Sequence, residues 1–125
     1  MDYETFTRTA AQRAGMPEGT VERVERATLQ TLADRITGGE AQDLASQLPA
    51  PLQDSLQPPQ DDAEAFGVEE FLRRVAERGE VGRDEARSGA AAVLTTVREA
   101  VSAGEFEDVL SQLPQEYREL VGPTS

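Results

Sequence analysis

Two stretches decide the reading: TGGEAQDLASQLP at residues 37–49 and SAGEFEDVLSQLP at residues 102–114. They stand 65 positions apart and share seven residues, including the closing Ser-Gln-Leu-Pro. Each opens on a hydroxyl residue with glutamate three places later. In that S/T-x-x-E box the hydroxyl accepts from the backbone three residues on, and the glutamate reaches back to the cap's own N–H. Thr37, Glu40, Ser102 and Glu105 therefore read as structural caps. Ala41, Leu44, Ala45 and Leu48 follow at helical spacing, as do Phe106, Val109, Leu110 and Leu113. Pro49 and Pro114 disfavour helical backbone in the residue before them and end both helices.

Outward from this block the offset holds without a gap. Residues 3–56 lie on residues 68–121, with 15 of the 54 pairs identical. Apolar character matches where identity does not, as at Leu32/Val97, Ile36/Val101 and Leu52/Tyr117. The first helix spans about 2–14, with Tyr3, Phe6, Thr7, Ala10 and Ala14 on one face, and its copy spans 67–79. Gly15 and Gly79 are the expected stops, because glycine takes left-handed backbone without a Cβ clash. The second helix starts at Pro17, or at Thr20 if that residue is the cap, and runs to 36 with a stripe of Val21, Val24, Thr28, Leu32 and Ile36. Its copy, 82–101, carries Gly89-Ala90-Ala91-Ala92, a nearly bare surface that lets another helix come close. The third helices cover about 40–48 and 105–113. A short last helix carries Leu52 and Leu56, matched by Tyr117 and Val121. No segment alternates with period two for long enough to be a strand. The expected fold is all-α, a tandem duplication of a three-to-four-helix repeat packed as a pseudo-two-fold helical bundle. It forms one compact domain over 1–125: repeat 2–57, proline-rich acidic linker 58–65, repeat 66–122.

Composition narrows the chemistry. The 125 residues include 24 acids and 12 bases, all arginine, for a formal charge of -12, with no cysteine, histidine or tryptophan. Disulfides, thiolate nucleophiles, imidazole bases, Ser-His-Asp triads and Schiff-base lysines are all excluded. Carboxylates, hydroxyls, arginines and two tyrosines are left, and few enzymes work from those alone. The expectation is a chain that is not an enzyme and has no cofactor and no metal. So acidic a surface repels nucleic acid and anionic membranes. No apolar run reaches the roughly 18 residues of a spanning helix, and the opening MDYETFTRTA is unlike a signal peptide, so a cytoplasmic location is expected.

Three patterns invite a functional reading. The acids of Gly39-Glu40-x-x-Asp43 and Gly104-Glu105-x-x-Asp108 share a helix face, yet a hard cation wants more oxygens, so a solvated, capped face is expected. Arg8, Arg13, Arg73 and Arg78 recur in pairs and read as inter-helix salt bridges. Ser46, Gln47, Ser111 and Gln112 are polar and identical, which packing alone does not require, and they form the candidate interaction surface. The leading functional reading is a non-enzymatic cytosolic interaction or stress-associated protein with a protein partner. A binder of a small molecule or lipid tail between the repeats is the alternative, and an enzyme is third. An exposed apolar patch favours the first, a closed cavity of about 300 Å³ or more the second.

Tyr3-x-x-Phe6, the Gly-Gly-Glu-Ala-x-Asp-Leu-Ala of 38–45, the Gln-Leu-Pro endings and the second, Phe71-containing copy resemble the bacterial family called domain of unknown function 2267, over about residues 2–121. The resemblance implies a small all-helical protein of two similar halves, with no assigned activity and no catalytic residues to carry over.

The halves carry -6 each: 5 Arg against 11 acids in 1–62, and 7 against 13 in 63–125. Neither neutralises the other, and self-repulsion opposes the compact state. The melting temperature should rise as salt goes from low to moderate concentration, since the Debye length falls to about 8 Å at physiological ionic strength. A flat salt titration at neutral pH refutes this. Mild acid should act the same way at first, a gain expected to reverse once Glu40, Glu105 and the arginine partners are neutralised.

Overall fold

Asp2 starts the first helix by accepting the Thr5 N–H at 2.8 Å, and Gly15 stops it in left-handed backbone at φ 68°. In the computed structural model, which describes residues 1–57 and 62–121, this helix is α1, Tyr3–Ala14. It is followed by α2 (Glu18–Arg35), α3 (Gly38–Ser46), α4 (Ala50–Gln53) and a 3₁₀ turn at Asp54–Leu56. Then come α5 (Val68–Gly79), α6 (Arg83–Ala100), α7 (Ala103–Ser111) and α8 (Glu116–Val121). The described residues are all-helical, with no strand among them. Lengths of 12, 18 and 9 residues recur in order, and Val68, Arg83 and Ala103 each begin a helix 65 positions after Tyr3, Glu18 and Gly38.

The packing is exchanged between the two sets. Helix α1 lies chiefly on α6, and α5 on α2, while α3 lies against α7. One core results, with Phe6, Leu29, Ile36, Phe71, Leu72 and Tyr117 fully enclosed. Phe71 and Tyr117 meet edge to face, ring centroids 5.5 Å apart, a geometry that aligns one ring's positive edge with the other's negative face. The bare stretch of α6 does what its composition suggests: a Cβ at Gly89 would stand 2.6 Å from Val24 Cγ1, so only glycine lets α6 approach α2 this closely.

Two local expectations change, and a third lies partly outside the described residues. Gly79 is the last residue of α5, not its left-handed stop, and Glu80 takes that conformation at φ 55°. The glycine serves packing instead, since a Cβ there would touch Ala27 Cβ at 3.5 Å. Pro17 is the N-cap of α2, in extended backbone, and the helix proper begins at Glu18 without a side-chain cap. Of the expected linker, 58–61 lie outside the described residues, as does position 122 of the second repeat. The chain returning from it is fastened down: Glu64 N donates to Asp34 O at 2.9 Å, and Phe66 O accepts from Arg35 Nε and the Tyr117 hydroxyl, both at 2.8 Å.

Exchanged packing leaves each half without the surface its long helices need. A piece of about 60 residues buries only about 60% of its unfolded surface even when complete. Residues 1–62 and 63–125, made separately, should show no cooperative melt by circular dichroism. A cooperative transition in the isolated first half refutes this, since that half carries Ala41 and Ala45 where the second has Phe106 and Leu110.

Candidate functional site

The caps of α3 and α7 are built by both halves. Thr37 Oγ1 accepts from Glu40 N at 3.3 Å, and Ser102 Oγ from Glu105 N at 3.1 Å. The return bond of the box comes from elsewhere. Thr37 N donates to Gln112 Oε1 at 2.9 Å, and Ser102 N to Gln47 Oε1 at 2.7 Å. Gln112 Nε2 also donates to Thr37 Oγ1 at 3.3 Å. Each glutamine ends its own helix, so the start of each third helix lies beside the end of the other. Ser46 and Ser111 bond inside their own helices, to Asp43 O at 2.7 Å and Asp108 O at 2.6 Å. All four residues of the candidate interaction surface thus use hydrogen-bonding groups within the chain.

Displaced from the caps, Glu40 and Glu105 face one another. One carboxylate oxygen from each of Glu40, Glu105 and Asp108 lies within 4.8 Å of the others. Glu40 Oε1 and Glu105 Oε2 are shielded from solvent and have no hydrogen-bond partner. Burial pushes the Glu40 carboxyl up to about 8, helped by its contact with Glu105 and by the charges of Glu105, Asp108 and Asp43. The expectation that acid weakens the fold by neutralising Glu40 is therefore corrected. A carboxyl that prefers its proton when folded gains stability in acid. The donor set is all oxygen, which suits a hard cation, but three carboxylates fall short of the six to eight ligands calcium takes.

The repeated arginines divide. Arg13 crosses to α6, donating to Thr96 Oγ1 at 3.1 Å and Glu99 at 2.5 Å. Arg78 crosses to α2, donating to Thr31 Oγ1 at 3.0 Å and pairing with Asp34 at 2.8 Å. Arg73 instead stays on its own helix with Glu70 and Glu77, while Arg8 is exposed. Repetition does not single out Arg74, which pairs with Glu70 (2.8 Å), Glu64 (2.9 Å) and Asp34 (3.2 Å) and stacks 4.1 Å from the Phe66 ring centre. The hydrogen bonds of Arg73, and then those of Arg74, hold the Glu70 carboxyl down at about 2.

Sequence reasoning also misses Glu25. It is fully buried in α2, accepting from Thr7 Oγ1 at 3.2 Å. Its Oε1 has no partner, nor has the hydroxyl of buried Thr28 one turn on. The signal is present: Glu25 falls between Val21 and Thr28 on the stripe assigned to the core. At plus 65 the residues matching Thr7, Glu25 and Thr28 are Leu72, Ala90 and Val93, so the polar cluster belongs to one half. Burial raises the Glu25 carboxyl to about 7, against the Thr7 bond that lowers it.

The sign of the resulting pH dependence is fixed. Glu25 keeps its proton in the fold above the pH at which the unfolded chain loses it, near 4.5. Its contribution is complete below that value and is lost as pH rises to about 7. The loss is at most about 1.4 kcal/mol per pH unit. Denaturation across pH 4.5–8 should show stability falling in this window, and Glu25→Gln should flatten the fall. An unchanged slope in the variant refutes the assignment.

No curated protein matches the chain. The model of one protein family does, over residues 3–120, nearly the whole of the described helical core. By that match the chain belongs to the family described as uncharacterized conserved protein, domain of unknown function 2267.

Proposed function

We propose that the chain is a non-enzymatic, cytosolic interaction protein. In this reading it is one domain of two repeats, 2–57 and 66–122, related by a pseudo-two-fold axis and joined through 58–65, and it recognises a basic protein surface by charge. The exposed apolar patch that would favour a protein partner is absent among the described residues, and the charge of the surface carries the reading instead. Among the described residues Met1 is the one large hydrophobic side chain that stands exposed, so a partner finds little apolar area to bury. It finds a formal charge of -12 instead. The outer edges of α3 and α7 present Asp43, Glu107 and Asp108 to solvent, with Arg118 reaching Glu107 at 3.5 Å. The exchanged glutamine caps and the Arg13 and Arg78 crossings, each repeated at plus 65, support the two-fold arrangement.

The small-molecule alternative has less behind it. A cleft between the α1–α2 turn and the start of α6 is lined by Ala14, Met16, Thr20, Asp84, Glu85 and Ser88. It opens to solvent with an acidic rim and holds about 260 Å³, and the adjoining groove beside Arg8, Gln12 and Glu18, about 500 Å³, is more open still, whereas ligand pockets enclose most of an apolar ligand.

Capture from native cytoplasm at low and at moderate salt, analysed by mass spectrometry for proteins and small molecules together, tests the proposal. The expected result is a basic protein retained at low salt, released by moderate salt, and lost with the triple variant D43N/E107Q/D108N. Capture indifferent to salt and to these substitutions overturns it, as does a stoichiometric small molecule with no protein.

A further inference from the structure

We infer that Glu40 and Glu105 share one proton across the contact between α3 and α7, and that this carboxyl pair is a pH-sensitive latch between the two third helices, tight in acid and progressively slackened toward mild alkali. The inference is independent of which partner the protein meets.

The geometry carries it. The two glutamates stand at the third position of facing helices, and the capping bonds that would occupy them are made by Gln47 and Gln112. Their carboxylates meet with Asp108 within 4.8 Å, and one oxygen of each is closed off from water without a donor. Two ionised carboxylates in that position repel each other with no hydrogen to share. One proton converts the repulsion into an O–H···O⁻ bond, the strong charge-assisted kind. Asp43 on α3 and Asp108 on α7 add negative charge. Asp34 and Arg35 at the end of α2 are directed elsewhere, Asp34 to Arg74 and Arg78, Arg35 to the carbonyls of Phe66 and Gln112. The peptide dipoles at the two helix starts favour anionic charge there.

Titration of such a pair proceeds in two steps that belong to both residues together. Burial and the acidic neighbours place the upper step far above an ordinary carboxyl, with Glu40 raised to about 8. A separated α3 and α7 would lose the proton near 4.5. Between these values the opening equilibrium grows with pH, by at most about tenfold per unit, and above about 8 it levels off.

The test is a side-chain carboxyl carbon NMR titration of the intact protein from pH 3 to pH 10, with hydrogen-exchange protection of the α3 and α7 amides followed in parallel. Two resolved steps for the Glu40–Glu105 pair are expected, the upper near 8, with protection in α3 and α7 falling faster with pH than in α1. Glu40→Gln and Glu105→Gln should each abolish the upper step and flatten the protection profile, because an amide supplies the hydrogen permanently. Glu25→Gln should leave the step in place. Ordinary low titration of both glutamates in the wild-type chain overturns the inference, and this outcome is readable even if the variants fail to fold. So does loss of the upper step on adding millimolar Mg²⁺ or Ca²⁺, which would make the cluster a cation site.

Discussion

The rest of the structure depends on an exchange: the first helix of each half is held by the second helix of the other. Arg13 reaches from α1 to Thr96 and Glu99 on α6, and Arg78 reaches from α5 to Thr31 and Asp34 on α2. Thr96 and Glu99 stand 65 positions after Thr31 and Asp34, so one interaction is made twice. The threonines themselves are buried and bond back to the carbonyls of Ala27 and Ala92, each at 2.7 Å, which turns their oxygens toward the incoming guanidinium as acceptors. The ion pairs differ in setting. The Asp34 side chain is 7% exposed and has two arginines, whereas Glu99 is 46% exposed and has Arg13. A charge as enclosed as Asp34 is costly to leave unpaired, and Arg74 and Arg78 both attend to it.

Helical periodicity and the capping box make the helices legible. The long apolar stripes require a core, and the threonine and serine caps stand where the box places them. What sequence alone does not disclose is which half supplies each partner. The box has Glu40 reach back to Thr37, because it is a local rule. The cross-half bond from Gln112 wins, and nothing local in sequence announces a contact between residues 75 apart. The repetition of Gln47 and Gln112 at polar positions is the visible trace of that contact. Glu25 and Arg74 are hidden for a different reason. Periodicity sorts residues by face and treats a charged residue on an apolar face as noise, although a buried acid is the very thing such a face can contain.

The correspondence at plus 65 makes these departures readable, because residues 65 apart serve as each other's control. At Arg13/Arg78 and Gln47/Gln112 both halves keep the residue and both make the same contact across to the other half, whereas Arg8 and Arg73, also identical, do not. Where one copy holds Thr7, Glu25 and Thr28 and the other Leu72, Ala90 and Val93, the fold tolerates either and the polar choice is the less favourable one. Two of its atoms, Glu25 Oε1 and Thr28 Oγ1, find no partner, and an unsatisfied buried polar group typically costs about 1–3 kcal/mol.

The carboxyls that hold protons change what the acidic composition means. The formal -12 counts every acid as ionised. Glu25 and Glu40 are raised to about 7 and about 8, so near neutral pH up to two of those charges are withheld. One is withheld in the core, at Glu25, and the other at the partly buried contact between α3 and α7, at Glu40. How much charge these two sites carry is set by pH. A protein with no histidine can in this way place a titration near neutrality by using burial and like-charge crowding on glutamate, the two forces that move a carboxyl upward.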